Sequence, residues 1–396
     1  MKRLIRILSV AAVLALVGID SAYGKFAYSL TYKDDKSFDG LRAAKWNGWV
    51  FNGTGKVIGT LQVSCGKATA AGYKIKATAI LMGYSKKLSF TKVAEICQLD
   101  TKTGLVAGRI QTPTGESMTI RLSQYNVFGQ ITCGSETYDY DCGRDFAADK
   151  NEQRAAMIAQ WQGNYVMAAW AEPSVGSFRG FVGLTIKITN KGKATIKGTL
   201  PDGNTISTTA QAVYDDQYGL FLPIYAQLYG KKGAFGGFLL CISKNLEVLD
   251  NKKLGTGFWD GYAAKTPRYA ALTFMTLERV TGSTGPSPSQ IYAIRGFTAQ
   301  GGVGTVFGTY DGQEIMIDTV PGTALTYVNR KFTPVENASK LKLSYKDKTG
   351  ELTGSFKLQT KAGKTYTAKI VGVFAGKLGL MTGLTKEKGS LGLVVQ

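Results

Sequence analysis

Apolar and polar residues alternate along most of this chain, and glycine-containing turns interrupt the alternation. A period of two residues with one apolar side predicts antiparallel strands that bury one face. The pattern recurs in residues 59–79, 183–207 and 354–372. In residues 183–207, the apolar side of two successive strands consists of Leu184, Ile186, Ile188, Ala194, Ile196 and Leu200. The alternation therefore predicts an all-β protein built from repeated hairpins.

A Pro-Asp-Gly-Asn stretch at 201–204 separates two of these alternating runs. Its Asp202 could be a catalytic carboxylate or a turn residue. The Asp side chain accepts local backbone hydrogen bonds, and Gly203 can supply a positive φ. A similar pair, Asp311-Gly312, follows later in the chain. We therefore predict that Asp202 turns the chain and has no catalytic role.

Residues 144–161 depart from the alternation. They contain no glycine, and apolar residues follow helical spacing at Met157, Ile158 and Trp161. This segment predicts one connecting α-helix between β units. With many short strands on either side of it, the units are predicted to be antiparallel β-meanders, either barrel-like or sandwich in architecture.

The predicted organisation has four parts. A signal peptide occupies 1–24, an N-terminal β unit 25–144, the connecting helix 145–161, and a larger C-terminal β unit 162–396. Within the last unit, residues 281–290 are rich in Gly, Ser and Pro. Such a composition is typical of flexible connections, so this stretch either divides the C-terminal unit or loops out of it.

The first 24 residues have the organisation of a secretory signal. Three basic residues in the first six precede a nearly all-apolar run from Ile7 to Ile19, and Ala22-Tyr23-Gly24 supplies small residues before the cut. No later run approaches the roughly 18 apolar residues of a membrane helix. We predict export to the extracellular space, the periplasm or the cell surface, with no transmembrane segment in the mature chain.

The charge of the chain is strongly positive, with 48 Lys and Arg against 28 Asp and Glu. Removing the leader takes away three basic residues and one acid, which leaves 45 against 27, or +18. From Arg330 to the end, thirteen basic residues face four acids. Such a surface attracts polyanions such as anionic polysaccharide, another cell-envelope polymer or phospholipid head groups, whereas nucleic acid is not expected as the partner of an exported protein. Alternatively, the lysines only keep sheet edges from pairing with neighbours.

Five cysteines offer disulfides in an exported protein. The spacing of Cys133 and Cys142 suits a bridge across a hairpin, and Cys65 with Cys97 is a second candidate pair, which leaves Cys241 unpaired. The alternative is a buried, reduced cysteine that acts as a small apolar residue, because Cys65 and Cys241 lie in apolar runs.

Histidine is absent, which removes the usual general base of Ser and Cys hydrolases and the commonest zinc ligand. The spacing of Asp139, Asp141 and Asp145 resembles a calcium loop, but Gly143 and Lys150 stand at the wrong places for one. We predict no catalytic residue, no cofactor and no metal. An enzyme that uses paired carboxylates on carbohydrate stays open as an alternative.

Aromatic residues crowd the chain between 214 and 269. Exposed Tyr and Trp rings are flat apolar surfaces with a polar tip, and they suit sugar rings. With neighbouring lysines they would suit an anionic glycan, although the same rings could instead fill the core. The candidate ligand-binding residues are Tyr225, Tyr229, Trp259, Tyr262, Lys231 and Lys232.

Four motifs occur in order in the second half of the chain: W-x-G-x-Y at 161–165, a G-K to D-G hairpin at 192–203, PIYAQLYGKKG at 223–233 and KTGELTGSF at 348–356. Together they resemble repeat-bearing secreted β-proteins of environmental and gut bacteria. The resemblance covers about 155–396 and implies a β fold and export, with no catalytic residue.

Three functions remain open from the sequence. The leading one is an exported, non-enzymatic β-protein that acts as a structural, adhesive or ligand-binding module at or beyond the cell surface. A second is a binding module for acidic polysaccharide that uses Lys-rich faces and the aromatic strip. The third is the carboxylate-based carbohydrate-active enzyme.

Overall fold

The structure is a computed structural model. It describes residues 44–69, 72–100, 105–123, 125–145, 152–171, 181–215, 219–240, 255–263, 266–281, 285–297, 307–310, 313–316, 324–335, 337, 340–360, 365–375, 378–384 and 390–395. The predicted signal peptide, Cys241 and Asp311-Gly312 lie outside the described residues.

The chain is almost entirely β, as the alternation predicts. Its strands are β1 (Lys45–Phe51), β2 (Val57–Thr69), β3 (Gly72–Leu81), β4 (Leu88–Phe90), β5 (Lys92–Asp100), β6 (Leu105–Gln111), β7 (Ser117–Leu122), β8 (Asn126–Cys133), β9 (Glu136–Asp145), β10 (Gly163–Ala171), β11 (Phe181–Ile188), β12 (Lys193–Thr199), β13 (Thr205–Gln211), β14 (Val213–Asp215), β15 (Gly219–Leu228), β16 (Gly233–Leu240), β17 (Gly255–Ala263), β18 (Thr266–Arg279), β19 (Ile291–Phe297), β20 (Phe307–Tyr310), β21 (Gln313–Met316), β22 (Ala324–Val328), β23 (Lys331–Pro334), β24 (Lys342–Lys346), β25 (Glu351–Thr360), β26 (Thr365–Ala375), β27 (Leu378–Leu384) and β28 (Ser390–Val395).

Helical structure is confined to short pieces of the described chain. An α-helix, α1, spans Glu152–Ala159, and Tyr229–Lys231 form one 3-10 turn. The role of α1 as a connection between two β units stays a prediction. None of the helices in the described ranges has the length and apolar content needed to cross a membrane.

The described residues divide into two compact units. Unit 1 contains those up to Gln162 with Thr189–Ala194 and Ala210–Ile242, and unit 2 contains Gly163–Ile188, Thr195–Thr209 and the remainder. Part of the predicted C-terminal unit therefore groups with the N-terminal one. Its side chains show why: Gln227 donates a hydrogen bond from Nε2 to the Leu81 carbonyl at 2.9 Å. Residues 281–290 lie between β18 and β19, where the strands pass from one sheet to the other, and the possible division of the C-terminal unit there stays a prediction.

In unit 1, strands β1 to β9 form an antiparallel series that returns to its start. The strands pair in the order of the chain, and β3 pairs with β5 as well as with the three-residue strand β4. β1 completes the ring because it pairs with β2 on one side and with β9 on the other. Alternate side chains point inward, and Trp46, Val63, Phe90, Ile120 and Tyr140 are nearly or fully buried in the resulting core.

Unit 2 contains a second closed series, made of β19 and β22 to β28. It runs β25-β24-β23-β22-β19-β28-β27-β26 and closes where β26 pairs with β25, while β21 pairs with β25 from outside the series and β20 pairs with β21. Its core includes Tyr327, Phe332, Tyr345, Phe356 and Phe374. Gly285 packs on this core, since a Cβ added to it would lie 2.5 Å from the Tyr345 hydroxyl.

One turn geometry recurs at four hairpins of the described chain: 52–56, 112–116, 189–193 and 200–204. In each, the first N–H donates to the fifth carbonyl, and the N–H of a glycine in fourth position donates to the first carbonyl. These glycines have φ between 71° and 108°. Three-residue hairpin loops with a left-handed glycine have this form. Asp202 lies in such a turn, where its Oδ1 accepts from the Asn204 N–H at 3.0 Å, so the predicted turn role is confirmed.

An aromatic ring faces an arginine across two pairs of antiparallel strands. Trp46 on β1 lies opposite Arg144 on β9, and the guanidinium stands 5.8 Å from the ring centroid. Tyr165 on β10 lies opposite Arg279 on β18, again at 5.8 Å. A cation over an aromatic face is attracted by the ring quadrupole. The same type of contact therefore joins β1 to β9 and β10 to β18.

Gly55 and Gly53 share one exposed turn and provide a matched pair of substitutions. A Cβ meets nothing within 4 Å at either glycine, but only Gly55 has a left-handed φ, of 80°. Gly55→Ala should lower the free energy of unfolding by about 1 kcal/mol, because L-residues are strained there. Gly53→Ala should leave it unchanged or raise it slightly. Urea denaturation of both variants measures the difference, and equal effects would contradict the turn assignment.

Candidate functional site

Tyr225, the first residue of the predicted aromatic strip, lies on β15 and is only 6% exposed. Its hydroxyl donates a hydrogen bond to the Ile58 carbonyl at 2.9 Å. The ring therefore packs inside unit 1, and the polar tip is satisfied by backbone. This corrects the prediction of a solvent-facing platform at Tyr225, because the pairing of β15 turns its ring toward the core.

The turn after β15 attaches to another turn of unit 1. The Gly83 N–H donates to the Lys231 carbonyl at 3.2 Å, and Lys231 Nζ donates to the Ser85 carbonyl. Tyr229 is half-buried and Lys232 is exposed. Tyr229 and Lys231 both have positive φ, of 52° and 76°. Strained backbone of this kind persists where surrounding contacts hold it, and here the contacts to residues 83 and 85 do so.

The two remaining residues of the strip, Trp259 and Tyr262, lie on β17 of unit 2, opposite Ala270 and Pro267. Their side chains lie outside the described part of the structure. The six predicted ligand-binding residues are thus distributed over both units, and only the four from Tyr225 to Lys232 are neighbours along one strand and its turn.

The predicted Cys133–Cys142 disulfide is contradicted. Cys133 lies at the turn end of the β8–β9 hairpin, opposite Glu136, whereas Cys142 lies opposite Val127. Six residues of extended strand separate these positions, which is about 20 Å. A disulfide requires Cα atoms within about 7 Å of each other.

All four described cysteines, Cys65, Cys97, Cys133 and Cys142, are buried free thiols. The Cys65–Cys97 bridge is therefore absent as well. Burial raises the pKa of Cys65 to about 12, with a smaller contribution from Cys97, and burial raises the pKa of Cys97 to about 11. Neither thiol ionises near neutral pH, so these residues act as small apolar side chains.

The acidic residues considered for calcium lie along β9. Gln130 donates from Nε2 to Asp139 Oδ1 at 3.0 Å, across the β8–β9 pair. Asp141 is exposed, while Asp145 is buried at 7% exposure. Across the described ranges, no group of three His, Cys, Asp or Glu residues could hold a metal ion.

The positive charge near the C-terminus is organised on one side of a sheet in unit 2. Strands β23 to β26 bury alternate residues and present the others outward, where most are Lys, Ser or Thr. We call this side the lysine face. Its members are Lys331, Lys342, Ser344, Thr353, Ser355, Lys357, Thr367 and Lys369.

Strand register sets the spacing on the lysine face. Lys342 and Lys369 lie on either side of Ser355, directly opposite it on β24 and β26. Their Cα atoms are therefore two strand spacings apart, about 10 Å. Lys357 lies opposite Thr367, and its Nζ donates to the threonine Oγ1 at 2.6 Å. Ammonium groups and hydroxyls thus alternate over neighbouring strands.

Little negative charge opposes these lysines. The four strands contain five lysines and one acid, Glu351. That acid lies on the same side of the sheet, at the end of the lysine face, and pairs with Lys346 at 2.7 Å. Arg330 pairs with Asp347 at 2.7 Å in the adjoining turns, and both side chains are substantially exposed. Such exposed pairs are weak, so the local potential stays positive.

Arg330 occupies a position that ordinarily favours glycine. It lies with Asn329 in the two-residue turn between β22 and β23, and their φ values are 65° and 50°. Turns with two left-handed residues prefer Asn-Gly, because a Cβ is strained at the second position. The sequence instead places a cation beside Lys331.

The lysine face was indicated by sequence only as an excess of charge after residue 330. A finer signal was present in the period-two placement of Lys342, Ser344 and Lys346, and of Thr367 and Lys369. That signal gives one side of each strand. It does not give the register that places Lys342 and Lys369 around Ser355.

The buried thiols should resist chemical modification. In a Cys241→Ser variant, which removes the cysteine outside the described residues, native protein at pH 8 should show almost no reaction with DTNB. The reason is that the remaining four thiols are desolvated and protonated. Unfolding in guanidinium should release four thiols per chain. Two released thiols, or rapid reaction of native protein, would contradict the assignment.

No protein-family model matches the chain, and no curated protein matches it. Among solved structures, it is similar to a protein of unknown function from the DUF3598 family of Nostoc punctiforme, with a TM-score of 0.21 and 14% identity over 61% of this chain and 97% of that one. A likeness of this size does not place the chain in that family.

Proposed function

We propose that this protein is an exported, non-enzymatic binding module for acidic polysaccharide at or beyond the cell surface, and that the lysine face is its binding surface. The observation that carries the proposal is the group Lys331, Lys342, Lys357 and Lys369, which project outward on neighbouring strands. The single acid on these strands is already paired. A surface of this kind attracts polyanions.

A polymer suits this surface better than a small anion. Each lysine is exposed, so each contact with a carboxylate or sulfate contributes little by itself. A chain with many charges can contact several lysines at once, and the later contacts form at high effective concentration. The affinity would therefore come from the number of contacts and would fall as salt screens them.

The hydroxyls favour a carbohydrate among polyanions. Ser344 and Ser355 lie opposite Lys331 and Lys342 respectively, and Thr367 contacts Lys357. Hydroxyl groups both donate and accept hydrogen bonds, as sugar hydroxyls do. A lysine face with interspersed hydroxyls thus matches a polymer that carries both acids and hydroxyls.

The proposal includes a finer architecture. Each closed series of strands would form a barrel, whose packed interior keeps the outer side rigid. In unit 2, Leu343, Tyr345 and Phe356 alternate with the residues of the lysine face and are almost fully buried. Rigid strands would hold the lysines at fixed spacing and reduce the entropy lost on binding.

Removing two lysines should weaken polysaccharide binding without unfolding the protein. Lys342→Gln combined with Lys369→Gln should reduce affinity for polygalacturonate or heparin about tenfold at low salt, through the loss of two charge contacts. Titration calorimetry, and the salt concentration that elutes each variant from heparin resin, measure this effect. Lys86→Gln combined with Lys87→Gln is the control, because it removes two exposed charges from a turn of unit 1.

The comparison between the two double variants decides the proposal. Equal loss in both would indicate a general charge effect without a defined surface. Elution of the natural protein below about 0.15 M salt would contradict a charge-driven role under physiological conditions.

Arg330→Gly should raise the stability of the fold and lower its affinity for polysaccharide. The change relieves the left-handed strain and should raise the free energy of unfolding by up to about 1 kcal/mol, even though the exposed pair with Asp347 is lost. Polysaccharide affinity should fall by about two- to fivefold with the lost charge. Urea denaturation and calorimetry give the two values. Lower stability together with unchanged affinity would argue against a binding role for this cation.

A further inference from the structure

β5 does not follow the alternation of its neighbours in unit 1. Its residues opposite fully buried positions should point into the core. Val93 lies opposite Ile110 and Leu99 opposite Val106, and both partners are fully buried. Yet Val93 is 55% exposed and Leu99 is 38% exposed. All six residues from Thr91 to Ile96 are exposed, so this stretch is lifted away from the core.

The strand pairing shows how the lift arises. Phe90 lies opposite Ala77 of β3, and Cys97 lies opposite Tyr73. From Phe90 to Cys97 the chain advances seven residues, whereas β3 advances only four from Tyr73 to Ala77. The stretch that contains β5 therefore has three extra residues. On the opposite side, the pairing with β6 shifts twice, between Val93 and Glu95 and between Glu95 and Gln98. Extra residues in one strand form a bulge that bends outward.

The bulge has a fixed base at Cys97, which is 1% exposed. Two glycines make room for it. A Cβ on Gly108 would lie 2.7 Å from both Cα and Sγ of Cys97, and a Cβ on Gly72 would lie 2.6 Å from its carbonyl oxygen. Any larger residue at either position would displace the strand. The close packing of these two glycines against Cys97 therefore fixes the position of the projection in the fold. We call Lys92–Ile96 the β5 knob.

The β5 knob combines aliphatic tips with a basic surround. Val93 and Ile96 are 55% and 48% exposed, and Leu99 follows on the same strand. The neighbouring exposed cations are Lys92 on the knob, Lys74 and Lys76 on β3, and Arg109 on β6. The acid of the knob, Glu95, lies opposite Arg109. The surround is therefore positive, with four cations against one carboxylate.

We propose that the β5 knob inserts shallowly into the surface of an anionic lipid bilayer. Aliphatic side chains gain free energy when they leave water for the acyl boundary, and flanking Lys and Arg are attracted by anionic headgroups. A bilayer surface yields to a convex projection. Protein-binding hot spots, in contrast, are enriched in Trp and Tyr, and the knob contains neither. The knob and the lysine face use different residues, so this inference does not depend on the proposed polysaccharide binding.

Co-sedimentation of the protein with vesicles tests the inference. The full chain should bind vesicles of phosphatidylcholine that contain about 30–50% phosphatidylglycerol. It should bind pure phosphatidylcholine far more weakly. Val93→Ser combined with Ile96→Ser should reduce partitioning onto the anionic vesicles about tenfold, through the loss of two inserted side chains.

Val328→Ser combined with Val335→Ser is the matched control. These valines are 56% and 72% exposed in unit 2, so the substitutions remove the same kind of surface elsewhere. The control should bind vesicles like the natural protein, and unfolding temperatures should show that both variants fold. Equal binding by the two double variants, or no binding of the natural protein, would overturn the inference.

A second copy of this chain is the other occupant that the experiment detects. In that case, the natural protein would elute as a dimer from a sizing column, the knob variant would elute as a monomer, and vesicles would not compete for the site. Polysaccharide affinity, measured on the same variants, should be unchanged. Failure of the knob is thereby distinguished from failure of the lysine face.

Discussion

The pairing of β1 with both β2 and β9 is the constraint on which unit 1 depends. A sheet of nine strands would otherwise expose two edges of unpaired backbone groups, and such edges promote aggregation. Closure also fixes which side of every strand faces the core, because a shift of one residue would turn all its apolar side chains outward. The contact between Trp46 and Arg144 lies on this pairing and holds the first and last strands together.

How far the sequence predicts this fold can be judged from particular residues. Alternation and Gly-containing turns are local, so the strand class and the role of Asp202 were accessible from the sequence. Tyr225 was not, because its burial depends on a contact with Ile58, 167 residues away. The separation of Cys133 and Cys142 likewise depends on hairpin register. β5 is lifted because it has three more residues than the matching part of β3. The alternation of apolar and polar residues within β5 gives no information about the length of β3.

The lysine face and the β5 knob differ in how they are built. The lysine face follows from regular strands, whose pleat sends every second side chain outward at a set spacing. The β5 knob follows from irregularity, since it lies where β5 has extra residues relative to β3 and where its register with β6 shifts. Arg330 shows a third route, in which an unfavourable backbone conformation places a cation at a turn. Strain of this kind is often retained where a side chain is needed at a set place.

The four buried free thiols make the folded structure independent of disulfide formation at these positions. Many small exported domains depend on covalent cross-links and on the enzymes that form them. Here Cys65, Cys97, Cys133 and Cys142 contribute only apolar volume, and strand pairing and core packing hold the described strands together without cross-links between these residues. Once the chain is folded, these four residues carry no cross-link that a reducing compartment would break, and their burial shields them from oxidation in an oxidising one.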